Sequence, residues 1–244
     1  MPFRRLPATD STRSDALRTS YTKAISMPVE ELPFSTANLD KLKIFYPKFK
    51  KEIEERGTAL SVQSEATLIS NAAQEKCRMY VSHFIQVFNF GVARNKFKAS
   101  ERAFFQLSVN QETVPDLKSS DSLTAVAENI IKGDVNRIAA GGAEMSNPST
   151  AEVEAVYNDY AAKSADQSAK KSVYEKEQKD VDNIRAEADE LITDIWDEIE
   201  FKYRKDEPSA MRRKAREYGV VYVSRPGEPV EEGAQPPAPE TPVK

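Results

Sequence analysis

Residues 147–205 read NPSTAEVEAVYNDYAAKSADQSAKKSVYEKEQKDVDNIRAEADELITDIWDEIEFKYRK, and this stretch decides the fold. Asn147-Pro148-Ser149-Thr150 is a helix start, with Glu152 and Glu154 placed in the electropositive first turn. From Ser149 to Glu207 neither proline nor glycine interrupts the chain. One heptad position carries Val153, Tyr160, Gln167, Tyr174, Val181, Ala188 and Ile195. A second carries Val156 or Tyr157, Ser164, Lys171, Gln178, Ile184 or Arg185, Leu191 or Ile192, and Ile199. This spacing predicts one very long helix from about Thr150 to about Lys205, roughly 80 Å at 1.5 Å per residue. Its seam is that of a coiled coil packed against an antiparallel neighbour. The middle, AAKSADQSAKKS over 161–172, is small and polar. It reads as a close-approach surface within a continuous helix, with a broken turn as the alternative.

The rest of the chain divides around this element. Residues 1–34 form an N-terminal arm, in which Thr9 or Asp10 caps a short helix bearing Leu17 and Tyr21. A helix from Ser35 carries Leu39, Leu42, Phe45 or Tyr46, Phe49 and Ile53. Pro47 is expected to kink or split it and Gly57 to close it. A further helix from about Ala59 to Arg94 follows, and Ser120 or Asp121 opens another that Gly141 and Gly142 stop. The expected fold is therefore all-α: an antiparallel bundle of three to four main helices over residues 35–223. A short basic helix and a β segment at Val220–Val223 complete it. Residues 224–244 are rich in proline and glutamate, the composition of a disordered tail.

Composition excludes several function classes. The 244 residues contain only 8 glycines, too few for the glycine turns and phosphate loop of an α/β nucleotide enzyme. Lysine and arginine number 35 against 39 aspartates and glutamates, a net charge of −4, which gives no bulk attraction for nucleic acid. The single cysteine, Cys77, rules out an intramolecular disulfide framework and a multi-cysteine metal site. No apolar run is long enough to span a membrane, and MPFRRLPATDSTRSD lacks the apolar core of a secretory signal, so a cytoplasmic location is expected.

Chemistry-bearing constellations are sparse. A di-iron bundle needs Glu-x-x-His pairs, yet the only histidine, His83, has Tyr80 three residues before it. Glu187, Glu190, Asp194 and Asp197 read as a solvated acidic face rather than a metal cluster. Cys77 and His83 lie about 120° apart around one helix and cannot form a nucleophile–base pair with each other. No catalytic, cofactor-binding or metal-binding residues are therefore assigned. The basic run Arg204, Arg212, Arg213, Lys214 and Arg216 is a candidate contact for an anion or an acidic partner, although cations also suit the negative end of a helix. Lys41, Lys43, Lys48, Lys50 and Lys51 are countered by Glu52, Glu54 and Glu55 and read as a solvated face. Phe84, Phe88, Phe104 and Phe105 are candidates for an apolar pocket, with a packed core as the plainer alternative.

Four segments carry a resemblance: MPFRRLP, SHFIQVFN, IRAEADELITDIWDEIE and RRKAREYGVVYV. Together they resemble a bacterial family of helical proteins of about this length with no assigned activity. The resemblance covers most of the chain except the tail. It implies a bacterial source and supplies no site residues.

The expected function is that of a non-enzymatic structural or protein-interaction bundle that self-associates. The 59–94 helix is shorter than the 150–205 helix, so part of the longer seam is expected to need another chain. The alternative is a binding protein for a small apolar ligand or an anionic polymer.

Overall fold

The computed structural model describes residues 2–224. The expected 224–244 tail therefore lies, beyond Ser224, outside the described residues. The chain is all-α: helices α1 (Asp10–Ile25), α2 (Thr36–Ala93), α3 (Ser120–Ala139), α4 (Thr150–Tyr203) and α5 (Pro208–Arg216) follow in order. Short 3-10 turns stand at Val29–Glu31 and Ala99–Phe105. The strands β1 (Phe3–Arg4) and β2 (Tyr222–Val223) pair antiparallel, Phe3 opposite Val223 and Arg4 opposite Tyr222.

The chain divides into two compact units. Among the described residues, one comprises those up to Thr58 and those from Glu175 onward, the other Ala59–Tyr174. Both long helices contribute to both units, and within each unit α2 and α4 run antiparallel. In the first, the Ser35 amide donates to Glu198 at 2.6 Å near one end of the pairing, and Glu52 meets Glu177 and Asp180 near the other. In the second, Gln167 donates to Thr67 at 3.4 Å.

The principal correction concerns α2. Neither Pro47 nor Gly57 breaks it, and the two expected helices are one helix of 58 residues. Pro47 removes one backbone hydrogen bond and costs about 3 kcal/mol. It sits on the exposed side of the helix. The opposite side buries Leu42, Phe45 and Phe49 at 0%, 3% and 0% exposure. Each of those contributes about 1.5–3 kcal/mol, so burial outweighs the break. Gly57, a lone interior glycine, costs only about 1 kcal/mol relative to alanine.

With α2 at 58 residues and α4 at 54, the expected mismatch in length does not exist. The α4 helix itself matches the expectation and is continuous through residues 161–172. Its start is fixed by Ser149, whose backbone amide and hydroxyl both donate to Glu152, at 2.8 and 2.9 Å.

The first unit buries Leu42, Phe45 and Phe49 of α2 against Ile184, Leu191, Ile195, Trp196 and Ile199 of α4. Leu17 of α1 and Tyr218 and Val220 beyond α5 close this core. Thr9 caps α1 through a reciprocal pair with Thr12. The second unit buries Cys77, Val81, Phe84 and Phe88 of α2 against Leu123 and Ile130 of α3 and Val153 of α4. Arg102, 2% exposed, pins the 106–117 loop here. Its guanidinium donates to the Ser108 carbonyl at 2.7 Å and to the Asn89 side chain, which in turn donates to the Glu112 carbonyl at 3.0 Å.

Candidate interaction surface

In the first unit the 3.6-residue repeat places Lys41, Ile44 and Lys48 along one outer row of α2. On α4 the same repeat brings Glu187, Glu190 and Asp194 up beside Leu191. These residues, with Phe45, line a groove of about 420 Å³. Its floor is apolar, Phe45 and Leu191 being 3% and 4% exposed. Ile44 stands at its α2 edge and is 76% exposed. One wall is basic and the other acidic. Among the described residues no ion pair engages Lys41, Lys48, Glu187, Glu190 or Asp194.

Both walls were visible in the sequence and read separately as solvated faces. What sequence alone lacked is that antiparallel pairing sets them across one groove.

The second unit exposes aliphatic side chains on the same helix. Leu60, Val62, Leu68 and Ile69 are 45%, 41%, 72% and 45% exposed. The residues that α2 buries along this stretch are small: Ala66, Ser70 and Ala73. A second groove, about 340 Å³, is lined by Met79, Tyr80, His83, Val87 and Phe90 of α2, with Pro148 and Glu152 opposite. His83 is exposed there, not in the core or an interface within the chain. Glu152 already accepts from Ser149, so it does not supply the histidine with a base-orienting partner.

Cys77 is fully buried, and loss of hydration pushes its thiol pKa up to about 11. At neutral pH it is an uncharged core thiol, not a thiolate nucleophile.

The candidate pocket phenylalanines separate. Phe84, Phe88 and Phe105 are buried, with Phe105 edge-on to the other two at 5.5 and 5.1 Å. That arrangement is core packing. Phe104 points away and is 38% exposed.

The candidate anion contacts are mostly engaged within the chain. Arg204 lies 3.6 Å from the centre of the Phe201 ring. Lys214 pairs with Asp206 at 2.8 Å and stands over Tyr203. Arg216 stands over Tyr222, and Arg212 is 7% exposed and partnered. Arg213 is exposed.

The acidic row considered for a metal does not converge. Among the described residues the carboxylates that do are Glu52, Glu177 and Asp180, within 4.8 Å. Lys176 pairs with Glu177 at 3.1 Å and with Asp180 at 3.0 Å, which offsets one of the three charges.

Comparison of the chain with family models, curated proteins and solved structures finds no match. The bacterial source implied by the resemblance therefore rests on the four quoted segments alone. No helix among the described residues is long and apolar enough to cross a membrane.

Proposed function

We propose that this chain is a non-enzymatic structural or protein-interaction protein that works by self-association. One observation carries the reading. The helix α2 presents five large aliphatic side chains to solvent, Ile44, Leu60, Val62, Leu68 and Ile69, each at least 41% exposed. Single exposed apolar residues are ordinary on a protein surface. Four of the five fall within residues 60–69 of the second unit, Val62 and Ile69 on one side of the helix, and each side chain would gain up to about 1.5–3 kcal/mol if a partner covered it.

Unequal helix lengths lend this reading no support, because α2 is as long as α4. The reading includes a reducing, cytoplasmic and bacterial setting. Its supports are the solitary buried thiol of Cys77 and the family resemblance.

Sedimentation velocity tests the proposal. A particle at least twice the 27.3 kDa chain mass, with its fraction rising with concentration, is expected. A particle that stays monomeric throughout the micromolar range overturns self-association.

The alternative of a small apolar ligand has the groove around His83 and Phe90 as its site, since Phe84, Phe88 and Phe105 are packed core. Native mass spectrometry of the purified chain would carry a constant added mass if that reading held. The anionic-polymer alternative has less support, because the basic run is mostly spent on intrachain contacts.

A further inference from the structure

We propose that a second copy of this chain docks on the Ile44 groove of the first unit, with α2 of each copy lying against α4 of the other about a two-fold axis parallel to the helices. The proposal rests on the self-association reading and gives it a face and a geometry.

The argument is one of charge and symmetry. A closed pair of identical chains uses the same patch on both, so the patch must complement itself. This one has a basic α2 wall, Lys41 and Lys48, and an acidic α4 wall, Glu187, Glu190 and Asp194, on either side of an apolar floor. Two in-plane two-fold axes can bring such a face onto its copy. An axis perpendicular to the helices stacks α2 on α2 and α4 on α4, which sets lysine against lysine and carboxylate against carboxylate. An axis parallel to the helices places α2 over the partner's α4 and preserves the level along the axis.

The antiparallel pairing fixes those levels. Ser35 meets Glu198 at one end, and Glu52 meets Glu177 and Asp180 at the other. Lys41 therefore stands near the level of Glu190, and Lys48 within about a turn of Glu187. The parallel axis carries Lys41 to the partner's Glu190 and brings Lys48 within about a turn of the partner's Glu187, in both directions at once. Ile44 of each copy, 76% exposed in the single chain, is carried over the apolar floor of the other.

The result is a four-helix arrangement in which Ile44 of each copy lies between two charge pairs along the helix, beside the apolar floor. The five charges lack ion-pair partners within the described chain, which leaves them available to set partner and register.

The test uses the full chain in sedimentation equilibrium, with helicity checked by circular dichroism. The wild type is expected to dimerise. The variants K41E/K48E and E187K/E190K/D194K are each expected to be monomeric, and their equimolar mixture to form a heterodimer. The chain carrying all five reversals is self-complementary again and should dimerise alone. I44D should raise the Kd at least ~30-fold, the effect of losing a central interface anchor. A helical wild-type dimer that survives both reversals and I44D overturns this geometry and leaves self-association standing on another surface. A wild type that stays monomeric at roughly 100 µM overturns both readings.

Discussion

Arg185 grips both carboxylate oxygens of Asp10, Nε to Oδ1 and Nη2 to Oδ2, each at 2.6 Å. The two residues are 175 positions apart in the chain and belong to the same compact unit. Arg56 reaches the same carboxylate at 2.5 Å and Arg13 at 3.5 Å, while Arg13 is itself held by Asp189 at 2.7 Å. Asp10 is only 9% exposed, so one small acid at the start of α1 ties α1, α2 and α4 together. A bidentate guanidinium pair of this kind is stronger and more directional than a lysine contact.

The Arg185 hydrogen bonds, then those from Arg56, hold the Asp10 pKa at about 2, against the opposing effect of burial. Because the folded value lies below the ordinary 3.8, the stabilisation is complete above that pH and is lost as pH falls through about 2. D10N should cost about 2 kcal/mol at neutral pH, the linkage value of such a shift, with the guanidinium groups left short of a charge partner. Urea unfolding of wild type and D10N at pH 7 and at pH 2 checks this. The gap between them should narrow at the lower pH, and an unchanged gap would assign the effect to shape alone.

A second buried charge group organises the other unit. Arg137 is 0% exposed and donates to Asp134 at 2.8 Å, to Glu101 at 3.0 Å and to the Ala143 carbonyl at 2.7 Å. Asp134 also accepts from the Thr150 hydroxyl at the start of α4, and the guanidinium lies 5.1 Å from the Phe97 ring centre. Removing one partner strands a buried charge, so R137M and D134L should each cost about 3–5 kcal/mol. The double variant R137M/D134L should cost clearly less than the two singles added together, because neither charge is then left alone. Thermal and urea unfolding of the three variants reads the coupling. Additive losses would mean that the two side chains stabilise the unit independently.

Much of this architecture was legible because α4 obeys every local rule at once. Ser149 and Glu152 open it, nothing breaks it, and Val153, Tyr160, Val181, Ala188 and Ile195 recur on one face. The reading failed at Pro47 and Gly57, where a local signal competes with a tertiary one. A proline's cost is printed in the sequence, but the burial of Phe45 and Phe49 that outweighs it depends on α4 being there. The candidate groove was half legible for a related reason. Lys41 and Lys48 on one helix and Glu187 and Glu190 on another are plain as patches. Only the antiparallel register makes them opposite walls. The Asp10 cluster left little signal, since Arg13, Arg56 and Arg185 are distant from one another along the chain and Asp10 reads simply as a cap.

Gly57 and Gly133 test how far those local rules reach, because the same substitution should act with opposite sign at the two positions. Both lie inside helices. A Cβ added at Gly57 would meet nothing within 4 Å. G57A should therefore stabilise by about 0.5–1 kcal/mol, through better helix propensity and a less flexible unfolded chain. A Cβ at Gly133 would stand 2.2 Å from the Phe104 carbonyl oxygen and 2.8 Å from its carbon. Those are backbone atoms of the Ala99–Phe105 turn and cannot swing aside as a side-chain tip can. G133A must push α3 away from that turn, and the overpacking should leave a net loss of about 1–3 kcal/mol despite alanine's better propensity. Melting temperatures of the two variants against wild type decide it. Stabilisation by G133A would mean that α3 is not held this closely against the turn, and the packing assigned to Phe105 beneath it would have to be revised.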